Sequence, residues 1–461
     1  MSVIAAFAVP HPPIILPEIG RGEDKKISRT TDAYLAVMRR AAALRPDTIV
    51  LISPHSIMYA DYFHISPGSG AQGDFSEFRA PEVQISAEYD AEFAAALTET
   101  CEGCGLPAGT LGERDPKLDH GTMIPLYFLN KFTKDFKLVR IGLSGLSPRE
   151  HYRLGENVAQ TAEKLGRRVV LIASGDLSNK LLSEGPYGFA VQGPEFDRQV
   201  TMALGAGDFL SLLTLPPEFC EGAAECGLRS LQIMAGALDR KSVTPELLSY
   251  EGPFGVGYGV AAFEVTGEDE KRDFGQQLDL IEARRLIALR ENEDACIRLA
   301  RLSVETFVRT GKRAALPAEM PPELLSRRAG AFVSLKKNGA LRGCIGTIAP
   351  VTSCLAEEIM HNGVAACSQD PRFPCVEARE LTQLEYSVDV LTEPERIRSS
   401  AELDVQRYGV IVEDGDKRGL LLPDLDGVDS VEQQLAIARR KAGISESANP
   451  VLYRFEVVRH H

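Results

Sequence analysis

The chain has no tryptophan, no long apolar run and no excess of basic charge. The missing tryptophan excludes nothing functional. The other absences exclude more. A bilayer span needs about 20 consecutive apolar residues, and no stretch approaches that. With 51 Lys and Arg against 65 Asp and Glu, the net charge is -14, so nucleic acid and anionic membranes are poor partners. The N-terminus MSVIAAFAVPHPP lacks the basic start of a signal peptide and reads as a first strand. Nine cysteines, odd in number and without a compact framework, fit a reducing compartment, and the expected location is the cytoplasm. The lone CxxC, Cys101 with Cys104, ends a helical stretch and has no second pair to complete a zinc site, so it reads as two thiols in a helix-terminal loop. Internal repeats and low-complexity segments are also absent.

At 461 residues the chain exceeds one compact core at about 150 residues per domain. In residues 1–265 the apolar runs SVIAAFAV, TIVLIS, FKLVRIGL and RVVLIAS alternate with helical stretches. That rhythm predicts an α/β unit, a mixed sheet flanked by helices, with a late strand pair at LLSYEGP and VGYGVAAFEVTG. The charged, aperiodic stretch 266–277 reads as a linker. Residues 278–461 open with an amphipathic segment that the ENED cluster breaks into two helices, then turn to short strands. Asn338–Gly339 and Asp414–Gly415 between such strands are hairpin signals, and the second unit is expected to be α+β.

Five of the eight histidines lie in the first third of the chain. His11 and His55 each follow a buried-strand run, and His120 stands in LDHGTMIPL. Histidines at the carboxyl ends of neighbouring strands converge where open α/β sheets bind ligands, and neutral imidazole is the commonest metal ligand. Singly, each reads as a capped polar group; three in matching context read as a metal site. Two histidines and one carboxylate leave adjacent positions open on a divalent metal. Glu221 and Glu225 lie four apart in PPEFCEGAAECGLRS, and Cys226 is a competing soft ligand. Ser174, Asp176 and Asn179 in ASGDLSNK would add polar groups at the same edge.

The VPHPP, SPHS, DHGTMIPL, SGDLSN and ECG segments, in this order, resemble the LigB-type (class III) extradiol dioxygenase superfamily and its Memo branch. The resemblance implies Fe(II) held by His11, His55 and a glutamate, here Glu225, with Glu221 and Cys226 as rivals, and His120 beside the metal. A catechol-like diol would chelate the metal through both oxygens, with O2 at an open position. The family's loop usually ends in a histidine that serves as acid/base; this chain has Asn179, which can hydrogen-bond a substrate but cannot titrate.

In the second unit, ALRGCIGT places Arg342 and Cys344 near a tight turn. Asp370 and Arg372 flank Pro371, and His361 reads as a helix C-terminal cation before Gly363. LRGCIGT, SQDPRF, LEYSVDVL and RYGVIVEDGDKRGLLLP resemble the AMMECR1 family, which implies a fold and a candidate cleft at Arg342, Cys344, Asp370 and Arg372. The two resemblances together point to the AmmeMemoRadiSam grouping and so to a radical SAM protein as partner; a homo-oligomer is also expected. Three functions follow: an Fe(II) oxidoreductase cleaving a small aromatic, a metal- or substrate-binding module for that partner (an oxygen-independent oxidation among its forms), and a zinc hydrolase. The terminal His460 and His461 are assigned no role.

Overall fold

The apolar runs become central strands because both their faces are covered. In the computed structural model, which describes residues 2–114, 117–425, 427–445 and 448–461, the chain divides into Met1–Ile281 and Glu282–His461. The first unit runs β1 (Val3–Val9), α1 (Ser28–Ala43), β2 (Thr48–Ser53), α2 (Ala91–Gly103), α3 (His120–Leu129), β3 (Lys137–Gly142), α4 (Pro148–Leu165), β4 (Val169–Ser174), α5 (Gln192–Ala206), α6 (Leu228–Ala237), β5 (Lys241–Glu251) and β6 (Tyr258–Glu268). Its sheet has the order β3-β2-β4-β1-β6-β5. The first four strands are parallel, and β6 and β5 close the edge antiparallel. Successive residues of a strand face opposite layers. Ala5, Phe7, Ile49 and Leu51 pack with α1 and α3, while Ala6, Ala8, Val50 and Ile52 pack with the helices of the other face. This is the expected mixed, helix-flanked sheet.

Local signals place the helices. Ser147 and Glu150 form a capping box ahead of α4, Pro148 occupies its first position, and Gly166 ends it in the left-handed conformation, the pattern of a helix closed at both ends. Cys101 lies in the last turn of α2 and Cys104 follows it.

The stretch 266–277 is structured, contrary to its reading as a linker. β6 continues to Glu268, a 3-10 turn spans Glu270–Arg272, and α7 (Phe274–Glu291) begins directly after. Charge without periodicity marked an exposed strand end and turn here. The second unit then runs α8 (Ala295–Thr310), β7 (Ala331–Lys337), β8 (Ala340–Gly346), α9 (Leu355–Ser368), β9 (Leu384–Leu391), β10 (Glu395–Ile397), β11 (Gly409–Asp414), β12 (Lys417–Leu421), α10 (Val431–Ala442), β13 (Val451–Phe455) and β14 (Val457–His460). Two antiparallel sheets form, β8-β7-β9-β14 and β10-β13-β11-β12; α8 and α9 cover the first, and α10 packs with the second. The unit is α+β. Asn338 and Gly339 have φ of 52° and 78° between paired Lys337 and Ala340, as a type I′ hairpin requires.

His361 falls in the middle of α9, not at its end. Gly363 is no cap: a Cβ there would meet Ser303 Oγ at 2.3 Å, so its bareness serves the close approach of α8 and α9. No helix among the described residues is long and apolar enough to cross a membrane.

Candidate functional site

The parallel strands β2, β4 and β1 end at one edge, and the residues two positions beyond them, His55, Asp176 and His11, come together there. The His11 and His55 Nε2 atoms lie 3.0 Å apart. His11 is buried, and the hydrogen bonds at its other nitrogen define its tautomer. The Ser174 hydroxyl donates its one proton to the Gly121 carbonyl at 2.6 Å. Its oxygen is therefore left to accept from His11 Nδ1–H at 3.0 Å. The Nε2 lone pair faces His55, and such outer hydrogen bonding fixes metal-binding imidazoles. Burial, reinforced by His55, pushes His11 down to about 3, so it stays neutral.

A thiol stands beside the two imidazoles. Cys226 Sγ lies 3.7 Å from His11 Nε2, and His11, His55 and Cys226 offer ligand atoms within 4.8 Å of one another. Donors sharing a tetrahedral zinc-like ion, at about 2.0–2.1 Å for nitrogen and 2.3 Å for sulfur, sit roughly 3.3–3.8 Å apart. The observed spacings are close to that, so these residues fit one metal ion. Glu225, expected as the third ligand, turns away: its Oε2 accepts from Leu228 N at 2.6 Å at the start of α6. Two features set this register. Ala224 adopts the left-handed conformation at the end of the short helix Pro217–Ala223. Gly175 and Gly227 let the two loops touch, since a Cβ on Gly175 would lie 2.2 Å from Gly227 Cα. Glu221 lies in that short helix, and the structure does not bring it into the donor cluster.

His120 is the first residue of α3, where Asp119 caps the helix by accepting from Thr122 N at 2.9 Å. Its ring lies 4.1 Å from that of His55, and burial with both neighbouring imidazoles pushes it down to about 3. Asn179 also reaches the site, but its Nδ2 donates to Ala224 O at 2.6 Å, tying two loops together. Asp176 accepts from His11 N at 2.8 Å, and burial pushes its carboxyl up to about 7. Tyr258 adds a phenol that burial keeps protonated. These groups line a cavity of about 880 Å³ whose other walls include Ile14, Phe78, Leu182, Phe254 and Val256. Asp176 and Tyr258 received no role from sequence alone, although the SGD turn placed Asp176 at this edge.

Three of the second unit's four candidates are held in two ion pairs, Arg342 with Glu380 and Arg372 with Asp370. Arg342 donates to both Glu380 oxygens, at 3.0 and 2.9 Å, and to Pro374 O at 2.9 Å. Arg372 donates to both Asp370 oxygens, at 2.9 and 2.7 Å, and Asp370 Oδ2 also accepts from Cys344 N at 2.8 Å. The Arg372 guanidinium holds the Asp370 carboxyl well below its usual range. Burial raises the Cys344 thiol, with Ser334 Oγ donating to its sulfur at 3.1 Å; that is not the environment of an activated thiolate.

A helix-flanked mixed sheet with strand-end imidazoles and a thiol around one point defines an α/β protein whose His-His-Cys group could hold a metal. The family described as "Catalytic LigB subunit of aromatic ring-opening dioxygenase" matches residues 5–261, and the AMMECR1 family matches residues 297–460; the chain belongs to the LigB family and carries an AMMECR1 region behind it. A protein of Clostridium acetobutylicum, whose name states no function, is 40% identical over 100% of this chain and 99% of its own length. A Thermotoga maritima protein is 53% identical over 34% of this chain and 91% of its own. An uncharacterized protein of Pyrococcus horikoshii with a crystal structure is 34% identical, covering 36% of this chain and 88% of that one at a TM-score of 0.34.

Proposed function

We propose that the first unit is a metal-dependent oxidoreductase that takes a small aromatic molecule, its metal held by His11, His55 and Cys226, and that the AMMECR1 region serves the same task. The observation that carries this reading is the His11 tautomer, set by Ser174 and Gly121, which directs a bare Nε2 at the point that His55 and Cys226 also face. Bound there, a metal would supply Lewis acidity and, if iron or copper, a redox couple. Two imidazoles and a thiolate are softer than the two-histidine, one-carboxylate set of ferrous ring-opening sites, which favours copper over Fe(II) as the redox ion.

The protein groups do the rest. Phe78, Phe254 and Val256 offer apolar walls to an aromatic ring. Tyr258 can donate its phenolic proton to a substrate oxygen, and His120 stands in the same cavity as the imidazole able to pass a proton. Asn179, occupied with Ala224 O, does not take that part. That occupation favours a second reading, in which the unit holds metal and substrate for a separate partner, a radical SAM enzyme in our proposal, with little turnover alone.

Metal analysis of the anaerobically reconstituted full chain tests the site. His55→Ala and Cys226→Ala should each release one equivalent that wild type and Glu225→Gln retain. Retention in Cys226→Ala with loss in Glu225→Gln would overturn the assignment. O2 uptake with a panel of catechols then separates an enzyme from a holding module.

A further inference from the structure

Asp294, Cys296 and His460 also offer ligand atoms that lie within 4.8 Å of one another. Asp294 and Cys296 come from the start of α8, and His460 from β14. Asp294 is the N-cap of α8, accepting from Ile297 N through Oδ1 at 3.0 Å. Cys296 is a free thiol in the first turn of that helix, 4% exposed. His460 is the last residue of β14, the edge strand paired with β9 through Val388, and its Nδ1 hydrogen-bonds Asp294 Oδ2. One carboxylate oxygen thus caps the helix while the other meets the imidazole. Asp294 and His460 are 166 positions apart in sequence.

We propose that these three side chains form a second divalent-metal site, of the zinc class, that clamps the C-terminal strand to the start of α8. The donor chemistry carries the choice. Thiolate with imidazole selects a borderline-soft ion over magnesium or calcium, and three protein donors leave a fourth tetrahedral position for water. Drawing donors from within 4.8 Å to bonding distance needs only side-chain movement at a partly exposed histidine, 23% accessible in its side chain. Binding releases the Cys296 thiol proton to solvent, so affinity rises with pH. It also stabilises the unit by mass action, because His460 is far from Asp294 and Cys296 in the unfolded chain.

The test uses the full chain with His55→Ala and Cys226→Ala, so that the first site contributes no thiolate. Anaerobic Co2+ titration should add one equivalent, with a thiolate-to-cobalt charge-transfer absorption that Zn2+ abolishes, and should raise the thermal midpoint of the second unit. Cys296→Ser should remove the absorption. His460→Ala should weaken binding by more than about tenfold with the fold intact, which decides the matter even if Cys296→Ser misfolds. Asp294→Asn, which keeps a competent N-cap, should weaken it too. No thiolate–cobalt absorption in the parent double variant, or one that survives His460→Ala unchanged, overturns the proposal.

Discussion

As stretches of sequence, the strand-end cluster of the first unit and the LRGCIGT segment of the other unit are alike: polar residues next to glycines and prolines in short turns. Their chemistry is opposite. Around the LRGCIGT segment, Arg342 satisfies Glu380 and Arg372 satisfies Asp370, so the charges are spent on each other and on the backbone. At the strand ends, the His11 and His55 Nε2 atoms lie 3.0 Å apart and the Cys226 thiol 3.7 Å from His11, with none of these three donors spent in an ion pair among the described residues. Polar groups that complete each other hold a fold; polar groups that converge without completing each other wait for a ligand.

The contrast is most exposed to failure at the first unit's donors. His55→Ala should abolish one equivalent of metal binding while circular dichroism and the thermal midpoint of the apoprotein stay near wild type; a large loss of apoprotein stability would make His55 structural. The reverse holds around the LRGCIGT segment. Arg342→Ala leaves the Glu380 carboxylate, 9% exposed as a residue, without its fork, and should cost the second unit about 2–4 kcal/mol in urea unfolding, with metal content unchanged. An equal loss of metal would merge the two regions.

The units should also respond oppositely to pH. Glu380 is lowered to about 2, its burial outweighed by Arg342. A carboxyl depressed in the folded state contributes stability above its unfolded value, near 4.3, which is lost as pH falls through 2. Asp197 of the first unit is pushed up to about 6 by burial, against its hydrogen bonds from Tyr250 and Ser178. There the folded state holds the proton more tightly, so stability falls as pH rises from about 4 to 6. Glu380→Gln should flatten the acid limb in the second unit's melting profile, and Asp197→Asn the fall with rising pH in the first; parallel profiles would refute the contrast. The smallest effect is Glu225→Gln, which weakens one helix-capping interaction by about 1 kcal/mol and leaves the metal in place.

The sequence carried the architecture well where periodicity and burial act locally. The apolar runs became strands, the ENED cluster ended in the Asp294 cap, and Asn338–Gly339 made its hairpin. It was weaker where long-range geometry decides. Glu221, Glu225 and Cys226 are indistinguishable by spacing; the left-handed Ala224 and the Gly175–Gly227 contact bring the thiol beside His11 and leave Glu225 on Leu228 N. Gly363 resembled a cap because a helix end and a close helix crossing ask for the same missing Cβ. Asp294 and His460 meet only once β14 has joined β9.

Anomalous diffraction at the metal edge, from crystals of the metal-loaded full chain, would reveal the donor set without intermediaries. The expected peak lies at the end of β1 and β2, bonded to His11 Nε2, His55 Nε2 and Cys226 Sγ, with Glu225 still on Leu228 N. A peak bonded to Glu225, or none between the two histidines, would refute the thiolate site.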